Sequence, residues 1–530
     1  MGRYLVVLFI FGCSTTFTSK PCTEDSDCGS DVCELREGSA ACVDPASATI
    51  MLGQSAPFSG VNAALGTDMN NGILLAINDQ NAKGGIRGRM LAVSALDDGY
   101  DPVQAQTNAM MLTGAVDTGA TPTNCPNTAT AVSNGATPAQ LIPVSTTALD
   151  RGSDGVLALI GSVGTPTAVR ATPVATETHT LFYGAFTGAT SPLRDTTAGT
   201  CQKYVFNVRA SYAQEAVATI EYFQSLNVPV TTAIAGNGPA AYANLISFDQ
   251  NDSFGNAGYN GLVAAWEALN GSGAFPGVPA WWSSPVYDGS ASEPIARFRY
   301  TRNDDNSVPQ QAANAETYID QLLGSGSGSA SLAVGVLMTD TYGAGEAFIK
   351  ALRMWQYGAD QTHNQATRLT LDFSNISFVG ADALANALAE DGMVPGTSTP
   401  YTQNVLVSEV VPNYETTNAT IVQNYLNLAK AANQAPTFTA LEGYIATNIF
   451  IQGLLNAKGP ITPDTMIPAL EGLPNLSLGL GATAGFSSSN HQYLDSVWGT
   501  TLNPDGTFKD TYYWTVDTSS APLGNYMPFE

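Results

Sequence analysis

A chain of 530 residues is longer than one hydrophobic core supports, because single cores stop growing near about 250–300 residues, so two cores are expected. Only 12% of the residues are charged, and 20 Lys and Arg against 45 Asp and Glu leave a formal net charge of -25. Such a surface repels phosphate backbones and anionic headgroups, which excludes nucleic acid as a partner and excludes an electrostatic hold on membranes.

The opening segment, MGRYLVVLFIFGCS, sets one basic residue, Arg3, before the apolar run Tyr4 to Phe11. That run is far shorter than the ~20 residues a membrane-spanning helix needs and reads as a signal peptide over 1–12. Its end, Ile10-Phe11-Gly12-Cys13, resembles a bacterial lipobox, in which the chain is cut before a cysteine that carries lipid, although Phe11 is bulkier than that pattern usually has. Cys13 is therefore the expected lipid-attachment residue, and the lipid is the only membrane contact expected. An unmodified Cys13 in an ordinary signal segment is the plainer alternative.

Residues 13–46 read as a lipidated tether carrying a four-cysteine module. Cys22, Cys28, Cys33 and Cys42 crowd into CTEDSDCGSDVCELREGSAAC, which has almost no apolar residues to fold around, so two disulfides are expected and three pairings are open. Zinc is the competing reading, but no His lies in the segment and the spacings fit no common finger, so no metal is expected. The remaining pair, Cys125 and Cys201, is expected to be bonded.

After the linker VDPASAT the body opens with TIMLGQSAPFSG, a buried strand over Thr49 to Gln54 and a loop through Pro57, Ser59 and Gly60. A helix follows around Thr67 to Gln80 with Ile73, Leu74 and Ile77 on one face. Gly84 and Gly85 end it, and a strand from Met90 to Leu96 runs into Asp97-Asp98. Asp101-Pro102 then reads as the N-cap and first residue of the next helix. This is one strand-helix-strand-helix unit of a parallel sheet. The same order recurs in VLALIGSVGTPTAVRATPVA, TLFYGAFTGAT, NLISFDQNDSFGNAGYNGLVAAWEAL, LAVGVLMTDTYGAGEAFIKALRMW and ISFVGADALANALAEDG, with KYVFNVRAS as a crossing between cores. In such sheets ligands sit beyond the carboxyl ends of the strands, which directs attention to the loops at Ser55 to Gly60, Gly161 to Thr167, Ala185 to Thr187, Asp249 to Phe254 and Thr339 to Tyr342.

Two stretches exceed what a connection needs: 113–154, which includes Cys125, and Ala274 to Ser292, which includes Trp281-Trp282. Catalytic signatures do not appear. His179, His363 and His491 are scattered, and no His-Glu-x-x-His, Walker A or Gly-x-Ser-x-Gly pattern occurs.

In GTPTAV, Thr165 and Thr167 flank Pro166, so hydroxyls and backbone N–H groups converge at a helix N-terminus that suits an anion, a carboxylate above all. Plain N-capping is the bland alternative. Together APFSG, NNGILLAINDQNAKGGIRG, LDDGYDP, IGSVGTPTAV, VFNVRAS, DSFGNAG and TYGAGEAFIKAL resemble the leucine/isoleucine/valine-binding family of type I periplasmic solute-binding proteins, over essentially everything from Ser47 onward. The resemblance implies an α/β fold of two Rossmann-like lobes joined by three crossings, lobe 1 from 47–208 and 400–490, lobe 2 from 209–399 and 491–530. It implies a non-enzymatic protein without a cofactor that takes a small ligand, an amino acid or similar carboxylate, in the cleft and delivers it to the permease of an ABC importer. The same fold also serves sensory receptors, so a ligand-sensing subunit acting through a partner protein is the alternative. Carried over by motif, the ligand-binding residues would be Thr165, Thr167, Ala185, Thr187, Phe254, Tyr342 and Asp382. Ala185 would offer a carbonyl, Thr187 a hydroxyl, and Asp382 an acid for a ligand ammonium or a helix cap. Phe254 stands where the family often has tyrosine, and Leu65 where amino-acid binders often have an aromatic.

Overall fold

The strand and helix phrases of the sequence become two sheets in a computed structural model of the protein. It describes residues 20–36, 38–119, 148–190, 193–194, 202–228, 244–269, 293, 295–325, 331–359, 365–474, 476, 478–480, 485–516 and 524–529. Cys13, Cys125, Cys201 and Trp281-Trp282 lie outside the described residues, as do the signal segment and most of both long insertions.

The four-cysteine module is a hairpin, β1 (Val32–Arg36) against β2 (Ser39–Val43) with Cys33 opposite Cys42. Of the three pairings left open by the sequence, the structure has Cys22–Cys33 and Cys28–Cys42, with Cα atoms 5.8 Å and 5.4 Å apart. This module does not hang free as a tether. Arg89, fully buried in the first lobe, donates from Nε to Glu34 Oε1 at 2.5 Å, and from Nη2 to Asp25 Oδ1 at 2.9 Å and to the Cys33 carbonyl at 3.1 Å. Arg87 bonds Asp25 as well, and the Asp25 amide donates to the Lys458 carbonyl at 3.2 Å.

The first sheet follows from β3 (Ile50–Ala56), β4 (Leu91–Asp97), β7 (Ala158–Ile160), β8 (Leu181–Tyr183) and β9 (Val205–Phe206), in the order β4-β3-β7-β8-β9 and parallel throughout. The two-residue strands β5 (Val116–Asp117) and β6 (Leu149–Asp150) pair across the base of the first insertion. Helices α1 (Ala63–Ala82), α2 (Pro102–Thr113) and α3 (Thr165–Glu177) connect these strands. Asp101 caps α2 as its composition predicts, accepting from the amides of Val103 and Gln104 at 2.9 Å each. Strands β7 and β8 are apolar and wholly buried, as expected where helices cover both faces of a parallel sheet.

The second sheet holds β10 (Leu245–Gln250), β11 (Ala296–Tyr300), β12 (Leu332–Thr339), β13 (Leu369–Asn375), β14 (Val405–Glu409), β15 (Val497–Leu502), β16 (Phe508–Thr515) and β17 (Asn525–Pro528). Their order is β11-β10-β12-β13-β14-β15-β16-β17, parallel as far as β14 and antiparallel beyond it. Helices α4 (Tyr212–Ser225), α5 (Ser253–Leu269), α6 (Val308–Ser325), α7 (Tyr342–Gln356) and α8 (Ala381–Asp391) belong to it, whereas α9 (Thr420–Ala431), α10 (Phe438–Asn456) and α11 (Pro463–Glu471) return to the first lobe, with α10 lying along α1.

Among the described residues the chain thus passes between the sheets three times: after β9, after β14 and before β15. The first and third crossings run side by side, with Tyr493 N to Asn207 O at 2.8 Å and Leu494 N to Val208 O at 2.8 Å. Residues 400–409, expected in the first lobe, belong to the second instead: β14 pairs with β13 in the second sheet, because the turn after α8 brings the chain back beside β13, where the Phe373 amide bonds the Asn404 carbonyl at 2.9 Å. Among the described residues no helix is long and apolar enough to cross a membrane.

Replacing Arg89 with Ala leaves Glu34 in a partly desolvated contact without its cation and leaves Asp25 with Arg87 alone. We expect a loss of about 3 kcal/mol, read as a lower urea midpoint at constant m. A change under about 1 kcal/mol would show that the module is an appendage without structural weight.

Candidate functional site

Parallel strands in both sheets point their carboxyl ends at the gap between the lobes, so the loops that follow them form its walls. Asp97, the last residue of β4, accepts from the amides of Phe58 at 2.8 Å and Gly99 at 2.9 Å and from Ser59 Oγ at 2.5 Å. Burial opposes its charge, but these bonds hold its pKa below the usual carboxylate range. Its neighbour Asp98 is buried against Ser55 Oγ at 2.7 Å, and desolvation pushes it up to about 7. The acid pair therefore shapes two wall loops.

The walls touch. Asn62 Nδ2 donates to Asn303 Oδ1 at 2.8 Å, Asn303 Nδ2 to the Gly99 carbonyl at 3.1 Å, and Gln250 Nε2 to Tyr100 Oη at 3.4 Å. Tyr342, the first residue of α7, donates its hydroxyl to the Val61 carbonyl across the same seam. Each contact joins a loop of the first sheet to a loop of the second, so the lobes are closed on one another.

Thr165 opens α3 after Gly164, and its Oγ1 lies 2.7 Å from Thr187 Oγ1, both side chains being buried. Thr167 turns away. Its hydroxyl donates to the carbonyls of Val163 and Gly164, the latter at 2.9 Å, which fixes the helix turn. The Ala185 carbonyl accepts from the Thr187 amide at 2.8 Å. Phe254 is fully buried near the start of α5, with its ring 4.6 Å from Phe378 and 5.6 Å from Tyr212 by centroid. Thr165, Thr187 and Phe254 are thus brought together around Tyr212, while Tyr342 seals the seam.

Asp382 has other partners. Tyr414 Oη donates to Asp382 Oδ1 at 2.6 Å and the Phe438 amide, at the start of α10 in the other lobe, to Oδ2 at 2.8 Å. Desolvation pushes this carboxyl up to about 7 against those two bonds. In this closed arrangement it bridges the lobes at the N-terminus of α10, whereas its own helix α8 starts after Gly380 without a side-chain cap.

Sequence reasoning missed the ring set of Tyr100, Phe186, Tyr212 and Phe378 and the ion cluster beneath it. Arg209, on the first crossing, lies 5.1 Å from the Phe186 ring centroid and 5.6 Å from that of Tyr212. Its Nη2 reaches Glu215 Oε1 at 3.0 Å and also Ser377 Oγ, and Nη1 lies 3.5 Å from Glu442 Oε2 on α10. Desolvation works against the guanidinium charge, and the two carboxylates more than offset it. Burial pushes Glu442 up to about 7 and Glu409 well above its ordinary value. The one available signal was the Arg itself, placed among small and apolar residues in VFNVRAS in a chain with 20 cations.

Two sheets that face one another across a closed seam of loops define a two-lobed α/β protein with an interlobe cleft. The family model described as periplasmic binding protein matches residues 49–152 and 304–507, more than half of the chain, and the chain belongs to that family, in its type I leucine/isoleucine/valine-binding form. A possible leucine/isoleucine/valine-binding protein from Rhodopirellula baltica is similar in structure, with 26% identity, a TM-score of 0.63, and 88% of this chain and 97% of that one covered. A branched-chain amino acid transporter substrate-binding protein from Streptococcus pneumoniae, solved with isoleucine, shares the fold at 15% identity and a TM-score of 0.54, covering 87% of this chain and 98% of that one. In sequence, a Leu/Ile/Val-binding protein homolog from Brucella abortus is 37% identical over 67 residues, 13% of this chain and only 18% of the length of that relative. Members of the family are extracytoplasmic substrate-binding proteins rather than catalysts.

The raised carboxyl of Asp382 makes folding proton-linked. Its folded pKa of about 7 lies above the unfolded 3.8, so the folded state holds an extra proton between these values, and stability present at low pH is lost as pH rises through about 7. Asp382→Asn should flatten the fall in melting temperature between pH 5.5 and pH 8, by the equivalent of about 2 kcal/mol. An unchanged pH profile would show that this carboxyl is not a proton-holding bridge.

Proposed function

We propose that the protein is a lipid-anchored extracytoplasmic binding protein that captures a small carboxylate-bearing ligand, an amino acid or related compound, and delivers it to an ABC importer. The carrying observation is the buried Thr165–Thr187 hydroxyl pair at the N-terminus of α3, inside the interlobe seam. A helix N-terminus with two hydroxyls offers donors and partial positive charge to an anion. Ala185 and Phe254 stand beside the pair, and Tyr342 closes the wall, so ligand contacts to both lobes favour the closed state. Leucine- and isoleucine-binding relatives support an amino acid among the candidates. Asp382 is the group proposed for a ligand ammonium, and it would have to leave Tyr414 and Phe438 to serve.

A thermal-shift screen of amino acids and simple carboxylates tests the reading, because a ligand held at one hundred times its Kd adds about 2.7 kcal/mol to stability. Thr187→Val should weaken the best carboxylate about tenfold, as loss of a hydrogen bond to a charged group does. If sugars or amines stabilise the protein and carboxylates do not, the reading is wrong. Anchoring is tested separately. Cys13→Ala should move the protein from the membrane fraction to the soluble one, since one thiol-borne lipid is the proposed attachment, and retention of the variant on membranes would refute the anchor.

A further inference from the structure

The rings around the hydroxyl pair come from both lobes. Tyr100 and Phe186 project from first-sheet loops, and Phe254, Phe378 and Tyr212 from the second lobe. Phe378 is their centre, 6.0 Å from Tyr100, 5.0 Å from Phe186 and 4.6 Å from Phe254 between centroids. Every one of these side chains is buried to within a few per cent. Glycines admit two of the rings: a Cβ on Gly164 would lie 2.2 Å from Tyr100 Cε2, and one on Gly188 would lie 2.3 Å from Tyr212 Cδ1. When the lobes part, Tyr100 and Phe186 move away from Phe378 and Phe254, and two aromatic faces meet water.

At one end of the ring set stands an unused donor. Tyr212 Oη is buried with its hydroxyl turned toward Thr187 and Thr165, outside full hydrogen-bond geometry with either. A buried phenol without a full hydrogen bond costs free energy that a ligand acceptor would restore. The polar groups thus gather at one end and aromatic carbon fills the rest. The acid expected to hold an ammonium, Asp382, is bonded to Tyr414 and Phe438 instead.

We propose that the ligand is an aryl carboxylate whose ring takes the place of the direct contacts of Tyr100 and Phe186 with Phe378, the lobes standing apart by the thickness of that ring, and whose carboxylate is met by Tyr212 Oη beside Thr165 and Thr187. This rests on the carboxylate reading above and narrows it. Aromatic partners prefer a ring to an aliphatic chain of equal area because edges and faces carry opposite partial charge, a preference of about tenfold for two such contacts. An ammonium adds nothing in this pose.

Isothermal titration of the full chain with phenylacetate, phenylalanine, leucine and hexanoate tests it. Phenylacetate should bind at least tenfold more tightly than hexanoate and leucine, and no less tightly than phenylalanine. Tyr212→Phe should weaken phenylacetate about tenfold while the ligand-free melting temperature stays within a degree or two, because the hydroxyl it removes closes no full hydrogen bond. Phe378→Leu should narrow the gap between phenylacetate and hexanoate. Leucine or hexanoate binding as tightly as phenylacetate, or Tyr212→Phe binding it unchanged, overturns the inference and leaves the carboxylate reading standing. Failure of all four carboxylates to bind overturns both.

Discussion

One buried cation organises the junction between the lobes. Arg209 sits on the first crossing, and its guanidinium is held by Glu215 of the second lobe, Glu442 of the first and Ser377 of a wall loop. Glu215 in turn accepts from the Ser377 amide at 2.8 Å and from Ser408 Oγ, on β14 just before the second crossing, at 2.8 Å. Removing any one of these charges would leave the others desolvated, which is far more costly than never having buried them. The crossings are therefore tied to each other by electrostatics as well as by the backbone bonds between 207–208 and 493–494.

That junction also leads into the proposed ligand site. Arg209 lies against Phe186 and Tyr212, and these rings reach the hydroxyls of Thr165 and Thr187, so charge, aromatic carbon and helix N-terminus follow one another from the junction into the cleft. A ligand there touches wall loops of both lobes. Its binding free energy can then be spent on holding the lobes together, which is what a clasping protein requires. The seam bonds of Asn62, Asn303, Tyr100 and Gln250 are of the neutral kind that exchange readily with water, so each adds little to closure by itself.

The buried acids at the same junction carry an opposing constraint. Glu409, Glu442 and Asp382 all have raised pKa values because burial desolvates them, and Arg209 offsets only part of this at Glu409 and Glu442. A folded state of this kind takes up protons relative to the unfolded one. In a chain whose formal charge is already -25, lower pH relieves both the local and the overall repulsion.

Strand, loop and helix phrases were legible in the sequence because they are local. Apolar runs fix the strands, Asp101-Pro102 fixes the start of α2, and Gly84 and Gly85 fix the exit from α1, each through interactions within a few residues. The order of those phrases also pointed to parallel sheets and the family, although β15 to β17 extend the second sheet with antiparallel strands, and it marked Thr165, Thr187 and Phe254, which do converge. What only the tertiary structure decided are pairings between residues far apart in the chain. The disulfide partners, the return of β14 to the second sheet, the docking of the cysteine hairpin on Arg89, the bond of Asp382 to Phe438 and the Tyr100–Phe378 ring contact all depend on how elements pack. A side chain's type sets what it can bond. Which partner it meets is set by sheet register and lobe closure, and these are properties of the whole chain.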